Sequence, residues 1–132
     1  MDLSQHAAAF AAQHTTGGLY LTADEVLSCA VSAVRELAGW AGLEDAAWNG
    51  TTEGVTAATV VSVDEWALIG PLFELLVERG NAQRLEACAG LGMPNPPRGS
   101  SEVAQSIETF RSNLPLAAFQ CAPTSTGFPE GY

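Results

Sequence analysis

The chain has no lysine, only two histidines (His6 and His14), no Cys-x-x-Cys and no apolar run near the roughly 18 residues that span a bilayer. Each absence excludes something. Without lysine there is no Walker-type phosphate loop. His6 and His14 lie about 12 Å apart along a helix, too far to share one metal ion. A Ser-His-Asp or Cys-His arrangement would have to draw its histidine from the first fourteen residues. Both are expected to be structural. Cys29, Cys88 and Cys121 are odd in number and far apart, so they read as small hydrophobes rather than a disulfide or zinc framework. The opening Met1-Asp2-Leu3-Ser4 has no basic n-region, and the expected setting is intracellular and reduced.

What remains is an acidic, apolar chain of 132 residues. Fifteen Asp and Glu face five basic residues, all arginine, for a formal charge of −10. Affinity for phosphates comes mainly from cationic contacts, so neither a general nucleic-acid surface nor an anionic membrane is an expected partner. The acidity fits solubility, a basic protein partner, or a surface to which nucleic acid must not adhere. Hydrophobic residues make up 47% and charged residues 15%, which places the chain among folded single domains rather than disordered ones.

Periodicity organises the chain into helices. Leu3 to His14 is alanine-rich and could form a short helix without a strong cap, ended by Thr15-Thr16-Gly17-Gly18. Thr22-x-x-Glu25 is a capping box, followed by apolar residues at helical spacing from Val26 to about Trp40. Asn49-Gly50 marks a turn, and the Val- and Thr-rich stretch Val55–Val63 predicts a short strand or extended arm. A second capping box, Ser62-x-x-Glu65, opens one long kinked helix or two helices abutting near Gly80, with the kink at Gly70-Pro71. A last helix starts at Ser100 or Ser101 and is expected to end at Pro115. The fold expected is therefore mainly α: a small helical bundle with one short extended or β segment and extended terminal arms. The divisions are an N-terminal arm (1–21), a helical core (22–119) and an extended C-terminal tail (120–132).

No catalytic, cofactor-binding or metal-binding set emerges. Glu74 and Glu78 are one helical turn apart, and acid–base work would require their burial in a cleft; a solvated acidic face is the plainer expectation. Arg79 and Arg84 have Glu74, Glu78 and Glu86 nearby, for local ion pairs or for a subunit contact. Trp66 and Phe73 crowd a helix that is apolar most of the way round, which suits a central helix or an interface. Leu116-Ala117-Ala118-Phe119 adds an apolar patch, and Phe128 and Tyr132 are the expected anchors of the C-terminal tail.

Glu65-Trp66-Ala67-Leu68-Ile69-Gly70-Pro71-Leu72-Phe73 with Val77-Glu78-Arg79-Gly80-Asn81-Ala82, then Leu85-Glu86-Ala87, Ser101-Glu102-Val103 and Leu114-Pro115-Leu116-Ala117-Ala118-Phe119, resembles small virion proteins of tailed bacteriophages. The group is that of head-completion or head-to-tail connector proteins, and the likeness covers residues 22–119. It implies a structural, non-enzymatic subunit without cofactors, in a ring of about twelve copies beneath the portal. Its implied partners are further copies of itself, the portal protein and another neck or tail protein. The location implied is the virion neck, with DNA passing through an acidic lumen. Contacts would fall to Trp66, Phe73, Arg79, Arg84, Phe119, Phe128 and Tyr132. A capsid decoration or cement protein, and an acidic inhibitor of a basic protein, are the alternatives that share this composition.

Overall fold

The computed structural model describes residues 1–13, 20–88, 90–92, 96 and 98–121, with side chains described as far as residue 117. Four helices follow one another: α1 (Leu3–Gln13), α2 (Ala23–Ala38), α3 (Val63–Ala87) and α4 (Ser100–Cys121), with one 3-10 turn at Thr52–Gly54. Both expected capping boxes form. Thr22 and Ser62 each accept from the amide three residues on, and Glu25 and Glu65 each reach back to the cap amide. α3 packs on α2 and α4, and α1 packs on α2. Their shared core holds Phe73, Ile69, Leu72, Leu37, Val26, Val34, Ile107 and Leu114, all at most 2% exposed.

Two expectations about fold are overturned. The first is the extended or β segment: the described residues contain no strand, and Val55–Val63 contributes only an isolated bridge between Val60 and Asp2. Threonine side chains compete here with ladder pairing. The Thr56 amide donates to Thr59 Oγ1 at 2.9 Å, the Thr59 amide to the Thr56 carbonyl at 3.1 Å, and the chain turns instead of running straight. Val55 and Val61 still plug into the core, at 0% and 1% exposure. Their β-branched side chains serve burial, not strand formation.

The second is the extended character of the N-terminal end, where the short helix expected from Leu3 does form. Residues 3–13 are a helix docked on the body, with Leu3 fully buried and Ala7 5% exposed. The cap is present after all. The Gln5 amide donates to Asp2 Oδ1 and the Asp2 amide to Gln5 Oε1, both at 2.9 Å, a reciprocal pair of the capping-box kind. The next free helix donors find the turn: Leu3 N–H reaches the Thr59 carbonyl and Ser4 N–H the Ala57 carbonyl, each at 3.1 Å. The segment expected as a strand thus anchors the start of α1. At the other end, residues 122–132 of the expected tail lie outside the described residues.

The remaining differences are local. α3 is one continuous helix containing Pro71, not two abutting at Gly80. Gly80 lies under Leu21, where an added Cβ would come within 3.4 Å of Leu21 Cδ1. α2 ends at Ala38 rather than Trp40. α4 does not stop at Pro115 but continues to Cys121. A proline removes one backbone bond, to the Arg111 carbonyl, and the buried Leu114 beside it holds the helix to the core. α4 is also fastened by paired charges: Arg111 grips Glu36 of α2 at 2.8 and 3.1 Å. Arg98, just before α4, grips Glu78 of α3 at 3.0 and 2.7 Å.

Candidate functional site

α1 and α3 meet through aromatic rings rather than by close backbone packing, and a cleft of about 270 Å³ opens between them. The Ser62–Glu65 box sets the helical register so that Trp66, Gly70 and Phe73 share the face of α3 turned toward α1. His6 stacks on Trp66, with ring centroids 4.2 Å apart and planes 17° from parallel. Phe10 meets Phe73 edge-on at 5.0 Å, and Trp66 tilts against Phe73 at 5.2 Å. Pro71 and Glu74 from α3 and Gln13 from α1 lie at the exposed rim.

His6 is the polar group that stands out. The Val61 carbonyl lies near its ring and favours the charged form. Nε2 is sealed from solvent and has no hydrogen-bond partner. Burial is the main reason its pKa falls below the ordinary histidine value, since the charged ring would lose its hydration; the Val61 carbonyl and Asp2 oppose that shift. The imidazole is therefore neutral near pH 7.

A second groove, of about 300 Å³, lies between α3 and α4. Leu68 and Leu75 form one wall and Phe110, Leu114 and Ala117 the other, with Ser106, Thr109 and Asn113 as the polar side chains among the described residues. Among the described residues no charged side chain lines it. Leu116 stands 62% exposed on the same helix.

The seven residues expected to make contacts are thus dispersed. Trp66 and Phe73 come together in the α1–α3 cleft. Arg84 is used within the chain, bonded to Glu25 at 2.6 Å and to the Tyr20 carbonyl at 2.9 Å, so it ties α3 to the start of α2 rather than pairing with Glu74, Glu78 or Glu86. The bond to the Thr22 backbone, followed by that arginine, holds the Glu25 carboxyl below its usual range. Arg79 is half-buried near Cys29, whose thiol is pushed up by burial against the opposing pull of Arg79; among the described residues no carboxylate forms an ion pair with it. Phe119 belongs to α4 with its side chain undescribed, and Phe128 and Tyr132 lie outside the described residues. His14, likewise, lies outside them.

Sequence reading passed over the cleft because it treated His6 as an isolated structural residue. The available signal was Asp2-x-x-Gln5 opening a helix on which His6 and Phe10 are one turn apart. Among the described residues no group of three His, Cys, Asp or Glu is arranged to hold a metal ion, and no helix is long and apolar enough to cross a membrane. Comparisons with protein-family models, curated proteins and solved structures return no match. None of these comparisons bears on the expected likeness to phage neck proteins.

Proposed function

We propose that the protein is a structural subunit of a tailed-phage virion, a head-completion or head-to-tail connector that assembles with further copies of itself under the portal. The observation that supports this reading is the uncharged groove between α3 and α4. Both of its walls come from the stretch that carries the resemblance, Glu65 to Phe119. On a chain with a net charge of −10, an apolar groove with no charged residue is the surface suited to a permanent protein contact. Solvent-facing carboxylates elsewhere suit a passage in which DNA must not adhere.

The test is native mass spectrometry of the protein recovered with its partners from its natural source. The expected result is an assembly of about twelve copies bound to a second ring-forming protein. Leu75→Glu, which sets a charge in the groove, is expected to abolish the assembly while the helical circular-dichroism signal is kept. A one-to-one complex with a single basic enzyme would overturn the connector reading in favour of an inhibitor.

A further inference from the structure

α1 is held differently from the other helices. α2, α3 and the α4 end of the chain are tied to one another by ion pairs: Arg84–Glu25 at 2.6 Å, Arg98–Glu78 at 2.7 Å and Arg111–Glu36 at 2.8 Å. Between Leu3 and Gln13 the one titratable side chain is His6, and α1 enters none of these pairs. Its attachments are the buried Leu3 and Ala7, the rings of His6 and Phe10, and amide bonds from Leu3 and Ser4 to the carbonyls of Thr59 and Ala57. His6 is the polar point in this contact. Its Nε2 is sealed and has no partner, so a proton placed there makes a charged donor with no acceptor in the docked structure. The groups facing the ring come from several elements. From its own end of the chain the Asp2 carboxylate favours the charge and the amino terminus opposes it, and the Val61 carbonyl favours it. From α3 come the Trp66 ring, which attracts a cation, and Glu74 at the exposed rim of the cleft. Among the described residues no charged group of α2 acts on it, and burial outweighs the groups that favour the charge.

We propose that α1 is an acid-released latch: protonation of His6 detaches α1 from α3 while α2, α3 and α4 stay packed, which uncovers the face of Trp66 and Phe73. The docked helix and the charged imidazole exclude each other, because Nε2–H finds an acceptor only when release lets water in. The body left behind keeps a core of its own. Val26, Val34 and Leu37 of α2, Ile69 and Leu72 of α3, and Ile107 and Leu114 of α4 are all buried, and the three ion pairs join these same helices. Linkage sets the direction. The released ring takes up its proton at the ordinary 6.5, so each pH unit below that value raises the ratio of released to docked helix by up to about tenfold. The Asp2 cap does not act in this range: the Gln5 amide and the Ser4 hydroxyl hold its carboxyl below the usual 3.8, and it stays ionised. The device lies apart from the α3–α4 groove and does not depend on the neck reading.

The experiment is a nuclear magnetic resonance pH titration of the full chain from about pH 7.5 to 4.5, read at the His6 ring, at the Ala7 amide of α1 and at the Ile107 and Leu114 amides of α4. The expected result is that the ring titrates below 6.5 and that Ala7 loses its helical shift in the same transition, while Ile107 and Leu114 keep theirs. Amide exchange of α1, corrected for its intrinsic pH dependence, should quicken by up to about tenfold between pH 6.5 and 5.5. His6→Phe keeps a ring against Trp66 and should remove the transition at Ala7, and it also separates the His6 signal from that of His14. His6→Gln, neutral and without a ring, should remove it as well. A His6 ring that takes up its proton while Ala7 is unchanged overturns the proposal. So does a ring that stays neutral down to about pH 4.5, a transition shared by Ile107 and Leu114, or a transition that survives in both variants.

Discussion

Replacing Pro71 by alanine should stabilise the protein, and the size of the effect follows from where the proline is. It is the ninth residue of a helix of 25, with its ring exposed at the rim of the α1–α3 cleft and Gly70 and Leu72 buried on either side. In a helix interior proline is about 3 kcal/mol less favourable than alanine, because a backbone bond is lost and the ring crowds the preceding turn. Little packing is lost with an exposed ring. Against the gain, alanine gives the unfolded chain more freedom, which offsets about 0.4–1 kcal/mol. The net expectation is about 2 kcal/mol, or roughly 7 °C in Tm for a domain of this size. Thermal unfolding followed by far-UV circular dichroism, with urea unfolding for the free energy, measures it directly. A variant that melts at or below the parent temperature would refute the reasoning and would mean that Pro71 itself is needed to seat Trp66 and Phe73 against α1.

Further outcomes follow from other parts of the fold. His6 has a depressed pKa, so the unfolded group, with its ordinary value of 6.5, takes up a proton first on acidification. Stability from this residue is present above that value and is lost as pH falls from there toward the folded value. His6→Phe keeps a ring against Trp66 and should flatten the decline of Tm between about pH 7 and 5, and an unchanged slope would rule His6 out as its source. The carboxyls of Glu78 and Asp45, both depressed, act in a lower window: their contribution is present above the ordinary 4.5 and 3.8 and fades as pH falls through their folded values. Phe73→Ala, at a residue 1% exposed, should cost about 3–5 kcal/mol in urea unfolding, and a loss below about 1 kcal/mol would contradict its placement at the centre of the core. Ser62→Ala should cost about 1 kcal/mol. Glu65→Ala should cost more in the same assay, because Glu65 also accepts the Glu44 amide at 2.9 Å and so fixes the preceding loop as well as the cap.

Helices were legible in this chain wherever the signal was local. Thr22-x-x-Glu25 and Ser62-x-x-Glu65 specify two starts because each box satisfies its own amides within four residues, whatever else the chain does. The apolar repeat from Val26 to Leu37 defines a buried face for the same reason: 3.6 residues per turn stack those side chains on one side. Pro115 misled because a proline's effect on a helix is a competition. Its missing bond is weighed against the burial of Leu114 and the Arg111–Glu36 pair, and neither of those is a local property. Val55–Val63 misled differently. Its composition is that of a strand, but a strand requires a neighbour of matching length, and among the described residues its backbone bonds beyond its own turns go only to Met1, Leu3 and Ser4 at the beginning of α1.

The candidate site divides along the same line. Composition determined that the protein is acidic, and residue spacing determined that Trp66 and Phe73 share a helical face. Neither shows what that face meets. Only the docking of α1 brought His6 and Phe10 against Trp66 and Phe73, and it brought them from more than fifty residues away. The reach of Arg84 to Glu25 rather than to a neighbour on its own helix was decided in the same way. Sequence fixes interactions whose partners lie within a turn or two, because the backbone geometry that joins them is nearly invariant. A cleft between helices, and the protonation of a histidine buried in it, depend on which faces pack together. That is settled only by the burial of the whole core.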